Sequence, residues 1–328
     1  MTPLLHVEGL NIWLDGGPNA VPLVDGVSFD VERGQVFGLA GESGSGKTLT
    51  SLAFLGLLPK GAHVAGRAVL DDRNLLAMRP RELRAARGSE IAMVFQDPMT
   101  SLHPMLSVER QMTEHLRHHL GTGRRQARRR AIELLAEVRI PDAEGALRGF
   151  PHQFSGGMRQ RIQIAMALAC QPKLLVADEP TTALDVTVQA GILRLLDHLC
   201  RANGLGVILI THDLGVLSAI ADTVSVMYAG RVVESGPSEL VLQRPRHPYT
   251  RGLLDALPHP DHPDRSLQPI RGAPPNLADR PPGCAFHPRC AYAVDSCHRD
   301  VPALLQREAG QAAACPVDPL ASALGEMR

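Results

Sequence analysis

The chain has 328 residues, enough for one large domain with an appendage or for two domains, and 44% of them are apolar, enough for a core. Its 34 basic and 34 acidic residues cancel, which argues against a general nucleic-acid binder with its basic excess. "MTPLLHVEGL" has no basic start ahead of an apolar core, and "LAFLGLLP" and "GVILI" are too short for the about 20 residues that cross a bilayer, so a cytosolic chain, or one held at a membrane by a partner, is expected.

Short apolar runs alternate with helical patterns, the signature of an α/β fold. Gly34–Ala40 (GQVFGLA) predicts a buried strand, followed by a helix over KTLTSLAFLGLL that Pro59 ends, and Glu90–Gln96 (EIAMVFQ) predicts a second strand. From about Pro98 to His152 the texture changes to helices rich in Arg and His. KLLVADE and GVILITH predict two more buried strands, with a helix over VQAGILRLLDHLCRANG between them. ADTVSVMYAGRVVESG predicts two strands joined by a turn at Gly230. Beyond about Arg244 proline rises, and RPRHPYTRGLLDALPHPDHPDR reads as a linker into a tail. The expected plan is an α/β domain over 1–244 with a helical insert near 98–152, then a small cysteine-containing module over 245–328.

GESGSGKT (Gly41, Glu42, Ser43, Gly44, Ser45, Gly46, Lys47, Thr48) fits G-x-x-x-x-G-K-[ST] between a strand and a helix. The glycines let backbone N–H groups turn onto phosphate oxygens, and the helix N-terminus adds its dipole. Lys47 is expected to reach the β- and γ-phosphates of ATP, and the Thr48 hydroxyl to ligate Mg2+. Asp178 emerges from the apolar run of LLVADE, where its carboxylate can hold Mg2+ through water. Glu179 beside it is placed to polarise the water that attacks the γ-phosphate.

FSGGMRQRIQIAMALA reads by itself as an N-cap, Ser155, then Gly156, Gly157 and an amphipathic helix. Standing after a phosphate loop and shortly before ADEP, it resembles the signature motif of the ABC ATPases. Gln96 in VFQDP, Asp185 in TTALD and His212 in ILITHD resemble that family's Q-loop, D-loop and switch histidine. The resemblance implies a P-loop NTPase fold, an ABC nucleotide-binding domain whose helical insert is a subdomain. QDPMTSLHPMLSV, FPHQFSGGMRQR, DEPTTALDVTVQ and RPRHPYTRGLLDALP narrow it to the ATP-binding subunits of oligopeptide and dipeptide importers, a subfamily that also takes up nickel and other solutes.

The resemblance implies a head-to-tail dimer with ATP between the phosphate loop of one subunit and Ser155, Gly156 and Gly157 of the other. It assigns Asp185 to the interface and His212 to the γ-phosphate. Gln96 joins Thr48 and Asp178 around Mg2+ and couples the site to the insert, where the family docks its membrane subunits. The partners implied are a second ABC ATPase subunit in a heterodimer, two membrane-spanning permease subunits and an extracytoplasmic solute-binding protein, with no nucleic acid. The chain is then a peripheral subunit at the cytoplasmic face of the cell membrane. For adenine, the family's stacking aromatic aligns with Leu14, so a shifted Trp13 or apolar contact alone would serve, and Trp13 as a core residue is the alternative. A soluble ABC ATPase of repair or translation would carry long coiled-coil inserts or tandem cassettes, and a P-loop kinase has no use for FSGGMRQR.

Cys284, Cys290, Cys297 and Cys315 stand in the tail with spacings unlike a zinc ribbon or the tight bacterial ferredoxin run. Thiolate ligation could stabilise a module too small for its own core. The resemblance favours a [4Fe–4S] cluster on these four, Zn2+ with His287 or His298 as a substitute ligand being the alternative and unligated cysteines a third reading. Cys170 and Cys200 are expected on helices as small buried residues. His115, His118 and His119 have metal-ligand spacing on a helix, but no carboxylate or cysteine set completes them, so a surface face is expected.

Overall fold

The computed structural model describes residues 2–15, 20–97, 101–182, 184–257, 268–308 and 310–317. The strands in chain order are β1 (Leu5–Leu14), β2 (Val21–Val31), β3 (Val36–Ala40), β4 (Ala62–Leu70), β5 (Arg73–Asn74), β6 (Ile91–Val94), β7 (Leu174–Asp178), β8 (Gly206–Thr211), β9 (Thr223–Tyr228), β10 (Arg231–Pro237), β11 (Leu305–Glu308) and β12 (Gln311–Ala313). The helices are α1 (Lys47–Phe54), α2 (Pro80–Ala86), α3 (Val108–Leu120), α4 (Arg124–Glu137), α5 (Ala143–Ala146), α6 (Gly156–Ala167), α7 (Val186–Asn203), α8 (Leu214–Ile220), α9 (Ser238–Gln243) and α10 (Pro248–Asp255).

Two compact units share this chain, one made of residues 1–5, 31–36 and 77–209, the other of 6–30, 37–76 and 210–328. In the first unit β6 and β7 pair in parallel, Ile91 opposite Leu174 and Val94 opposite Ala177. Every residue of β7 is buried. A strand covered on both faces reads as a near-continuous apolar run, here broken only by Asp178 at its end, which is why KLLVADE is readable. The helical insert lies in this unit. Ser107 caps α3 by accepting from the Arg110 N–H at 3.3 Å, and Val108, Met112 and Leu116 form its buried stripe. The Arg-rich stretch forms α4, which buries Ala127, Ala131, Leu134 and Leu135. Arg128 pairs with Glu144 at 2.9 Å and Glu109 at 3.7 Å. Residues 98–100 of the expected insert lie outside the described residues, as do Ala183 and linker residues 258–267.

The second unit contains an antiparallel sheet of order β2-β1-β4-β5 and the strand series β11-β12-β10-β9-β3. β3 runs parallel to β9, Phe37 opposite Thr223 and Ala40 opposite Val226. The expected β9–β10 hairpin is present, its turn made by Ala229 and Gly230 with φ of 46° and 82°, the two left-handed positions of a type I′ turn. The tail adds its own strand: β12 pairs with β10, Glu234 opposite Ala313.

Three expectations are corrected. The helix after the phosphate loop stops at Phe54, well before Pro59. Gly56 at φ 59° ends it in a Schellman motif, with Leu57 N–H bonded to Leu52 O at 2.9 Å and Gly56 N–H to Ala53 O at 3.0 Å. Cys170 sits in the turn after α6 rather than on a helix, although it and Cys200 are buried as expected. Trp13 is not a core residue: it is half-buried on the strand face opposite Ile12 and stacks on His63 at 5.7 Å.

Candidate functional site

In the second unit β3 delivers the chain to Gly41, and α1 starts at Lys47 with Gly46 at its N-cap, φ 102°. No side chain caps that helix end. Lys47 is 5% exposed, and its ammonium donates to Gly41 O at 2.6 Å, Glu42 O at 2.9 Å and Ser45 Oγ at 3.4 Å. The loop is therefore wound around the lysine. From outside, the hairpin turn holds it through Gly230 N–H to Ser45 O at 3.0 Å. Gly41, at φ 145°, lies so close to the Met227 carbonyl oxygen that a Cβ would collide with backbone. Ser43, Gly44 and Thr48 are exposed. His212, after β8, is exposed as well, and Asp213 caps α8 by accepting from Gly215 N–H at 2.8 Å.

In the first unit Asp178 closes β7 and is 5% exposed. Glu179 follows with φ 46°, a left-handed conformation uncommon for a non-glycine residue and enriched at functional sites. Its Oε2 accepts from Gln96 Nε2 at 2.9 Å and from Thr182 Oγ1 at 2.9 Å. Gln96 donates through its side-chain nitrogen, which leaves its amide oxygen as an acceptor. Ser155 caps α6 by accepting from Met158 N–H at 3.3 Å, and Asp185 caps α7 by accepting from Val188 N–H at 2.9 Å. The two helices meet where Gly157 lies under Val188 with no room for a Cβ.

The structure thus joins Gln96 to Glu179, sets the Ser155 and Asp185 caps on neighbouring helices, and folds Gly41–Thr48 around Lys47. Sequence reasoning missed Thr182, Tyr249 and Arg289. Tyr249 is fully buried and its hydroxyl accepts from the Glu42 N–H at 2.8 Å, although 207 positions separate them. Only the TT before ALD could have pointed to Thr182. Nothing in the local sequence points to the other two.

In the tail, Cys297 and Cys315 are buried and Cys284 and Cys290 partly so. Cys284 N–H donates to Cys297 O at 2.9 Å, and Tyr292 N–H points at Cys290 Sγ at 3.4 Å. Burial pushes the thiols of Cys284, Cys290 and Cys315 up, Cys315 to about 11, and neighbouring cysteines add to each. Among the described residues no group of three or more His, Cys, Asp and Glu is gathered to hold a metal ion. That covers the histidines of α3 too. His115 and His119 rings lie 4.7 Å apart, and burial, then its histidine neighbours, lowers His115 to about 4. No helix among the described residues is long and apolar enough to cross a membrane.

Residues 24–182 match the family described as ABC transporter, and residues 233–297 match the oligopeptide/dipeptide transporter C-terminal region. The chain is 45% identical over 317 residues to the oligopeptide transport ATP-binding protein AppD of Bacillus subtilis, covering 96% of this chain and 97% of the relative. It is 47% identical over 304 residues to the dipeptide transport ATP-binding protein DppD of the same organism, 92% and 91% of the two chains. With the oligopeptide transport ATP-binding protein OppD of Salmonella typhimurium it shares 45% over 319 residues, 97% and 95% of the two. Among solved structures, the dimeric cassette MJ0796 in a post-hydrolysis state bound to ADP and Pi superposes with a TM-score of 0.63 at 26% identity, covering 71% of this chain and 98% of that one. The cbiO1 protein from Clostridium perfringens gives 0.63 at 28% identity, covering 74% and 92%. The chain belongs to the ATP-binding subunits of the oligopeptide and dipeptide ABC transporters, ATPases of the P-loop ABC fold.

Proposed function

We propose that this chain hydrolyses ATP to drive uptake of di- and oligopeptides through an ABC importer. The observation that carries the reading is similarity to peptide-transport ATP-binding proteins along nearly the whole chain, including the C-terminal region over 233–297. Residues 1–244 act as the cassette and 245–328 as the module that marks the subfamily. The cassette pairs with a second ABC ATPase subunit of related sequence, as the dimeric relative MJ0796 pairs, and sits peripherally on two permease subunits that a solute-binding protein serves. Reconstitution tests this: vesicles holding the permease pair, both cassettes and the binding protein should accumulate a labelled dipeptide only with ATP inside the compartment that carries the cassettes. Uptake of Ni2+ instead, or none of either, would overturn the peptide reading.

Within the site, Lys47 and the backbone of Gly41–Thr48 hold the phosphates, while Thr48, Gln96 and Asp178 serve Mg2+. Glu179 acts as general base, with His212 on the γ-phosphate. Ser155, Gly156 and Gly157 act on nucleotide held by the partner cassette, because a helix N-terminus is an anion site, and Asp185 contacts the partner across the interface. Binding to both halves closes the dimer, and loss of the γ-phosphate contacts reopens it.

For the tail, the reading is a [4Fe–4S] cluster on Cys284, Cys290, Cys297 and Cys315, with Zn2+ as the second possibility. Burial and the neighbouring cysteines disfavour ionisation of the Cys284, Cys290 and Cys315 thiols, which suits ligation to a positively charged group, and the amide aimed at Cys290 Sγ suits a thiolate. The cluster would lock the module's fold and supply a redox-active centre. Iron and sulfide near four per chain after anaerobic purification, lost in Cys290→Ser, is the expected result. Zinc, or no metal, would contradict the cluster.

A further inference from the structure

Arg289 lies in the turn His287–Arg289 of the tail, next to Cys290, and its guanidinium grips the phosphate loop. Nη1 donates to Glu42 Oε2 at 2.6 Å and Nη2 to Glu42 Oε1 at 2.9 Å, a two-pronged ion pair. The guanidinium also bonds Arg271 O through Nε at 3.0 Å and the Tyr228 hydroxyl through Nη1 at 3.3 Å. The rings of Tyr228 and Phe286 lie 5.8 and 5.9 Å from its centre, which fixes its aim. The Arg289 side chain is 6% exposed and that of Glu42 26%.

Glu42 is the second residue of the phosphate loop. Its carbonyl accepts from Lys47 Nζ at 2.9 Å and its N–H donates to Tyr249 Oη at 2.8 Å, so the residue is fixed at both backbone ends and at its side chain. A carboxylate there opposes the loop's task. It carries the same sign as a polyphosphate, and water screens it poorly because it is partly buried. A planar guanidinium matched to both carboxylate oxygens removes that repulsion and holds the side chain to one orientation. Removing only the arginine would leave the charge uncompensated.

We propose that Arg289 is a positioning residue for nucleotide binding, which neutralises Glu42 and makes the cysteine-bearing tail part of the phosphate site. The proposal rests on reading Gly41–Thr48 as the loop that holds ATP. The test is MgATP binding and turnover by the full-length chain in four variants. Arg289→Ala should weaken ATP binding about tenfold, with the loss in the ATP KM rather than in kcat. Arg289→Lys, which keeps the charge and loses the fork, should fall between wild type and Arg289→Ala. The double variant Arg289→Ala/Glu42→Gln should recover to within about threefold of wild type, because the unpaired charge is gone. A purely structural arginine would instead lower the melting temperature and the active fraction, and Glu42→Gln would not restore affinity. If Arg289→Ala folds poorly, the lysine variant and the double variant carry the test. Wild-type ATP affinity in Arg289→Ala, or no recovery in the double variant, would overturn the proposal. Lys47→Ala separates the two readings: unchanged ATP binding there would sink the phosphate-loop assignment itself, whereas loss there with none in Arg289→Ala would sink only the role of Arg289.

Discussion

The side-chain amide of Gln96 donates to the Glu179 carboxylate at 2.9 Å, tying the chain just beyond β6 to the residue that follows β7. Those strands are paired neighbours, so the bond extends their register into the loops. The proposed base works only if aimed, and Thr182 Oγ1 donates to the same Glu179 oxygen at 2.9 Å. Gln96→Ala should lower ATP turnover about tenfold and leave ATP affinity close to wild type. Phosphate release measured beside equilibrium ATP binding checks it, and a loss confined to binding would count against the aiming role.

Lys47 is buried and gathers three oxygens of its own loop. Lys47→Ala should cost about a hundredfold in ATP affinity, since it removes both the phosphate partner and the centre around which the loop winds. A fluorescent nucleotide titration reads this directly.

Gly41 meets the Met227 carbonyl at a φ of 145°, so Gly41→Ala must move backbone. The variant should lose roughly 3 kcal/mol of stability from strain and collision together. Urea unfolding should show a lower midpoint with an unchanged slope.

His247 gives a pH dependence whose sign is fixed. It is 1% exposed, its Nδ1 accepts from the Tyr249 N–H at 3.0 Å, and burial lowers it from 6.5 to about 3. Between those values the unfolded chain binds a proton that the folded chain refuses. Stability is therefore fully present above pH 6.5 and falls as pH drops, by up to about 1.36 kcal/mol per unit, until about pH 3. Glu234, which accepts from the His247 N–H at 3.0 Å, is raised mainly by burial and works in the opposite direction, losing stability as pH rises through its own value. His247→Asn keeps a capping acceptor and removes the titration, so its acid limb should be flatter than wild type. Equal slopes would contradict this.

The parallel strands and the motif residues were legible because their causes are local. Doubly covered strands such as Leu174–Asp178 need unbroken apolar runs, and a phosphate loop needs its glycines at fixed spacing. The antiparallel sheet was not read. In β1 the buried residues are Leu5, Val7, Leu10 and Ile12, so the alternation slips by one at Gly9, whose φ is 56°. That slip hides a period of two. The early end of α1 was missed because the apolar run continues past Gly56, while the backbone turns there. Tyr249 and Arg289 were invisible for a different reason: Glu42 lies 207 and 247 positions away from them, and no spacing rule reaches that far.

The central claim is that Glu179 is the base of a transport ATPase, and Glu179→Gln tests it most directly. Glutamine keeps the shape and an oxygen for the Gln96 and Thr182 donors but cannot take a proton. Phosphate release at saturating MgATP should fall by about a hundredfold or more while ATP still binds, leaving a closed dimer that persists on size exclusion. Turnover at the wild-type rate in this variant would contradict the account and place the base elsewhere.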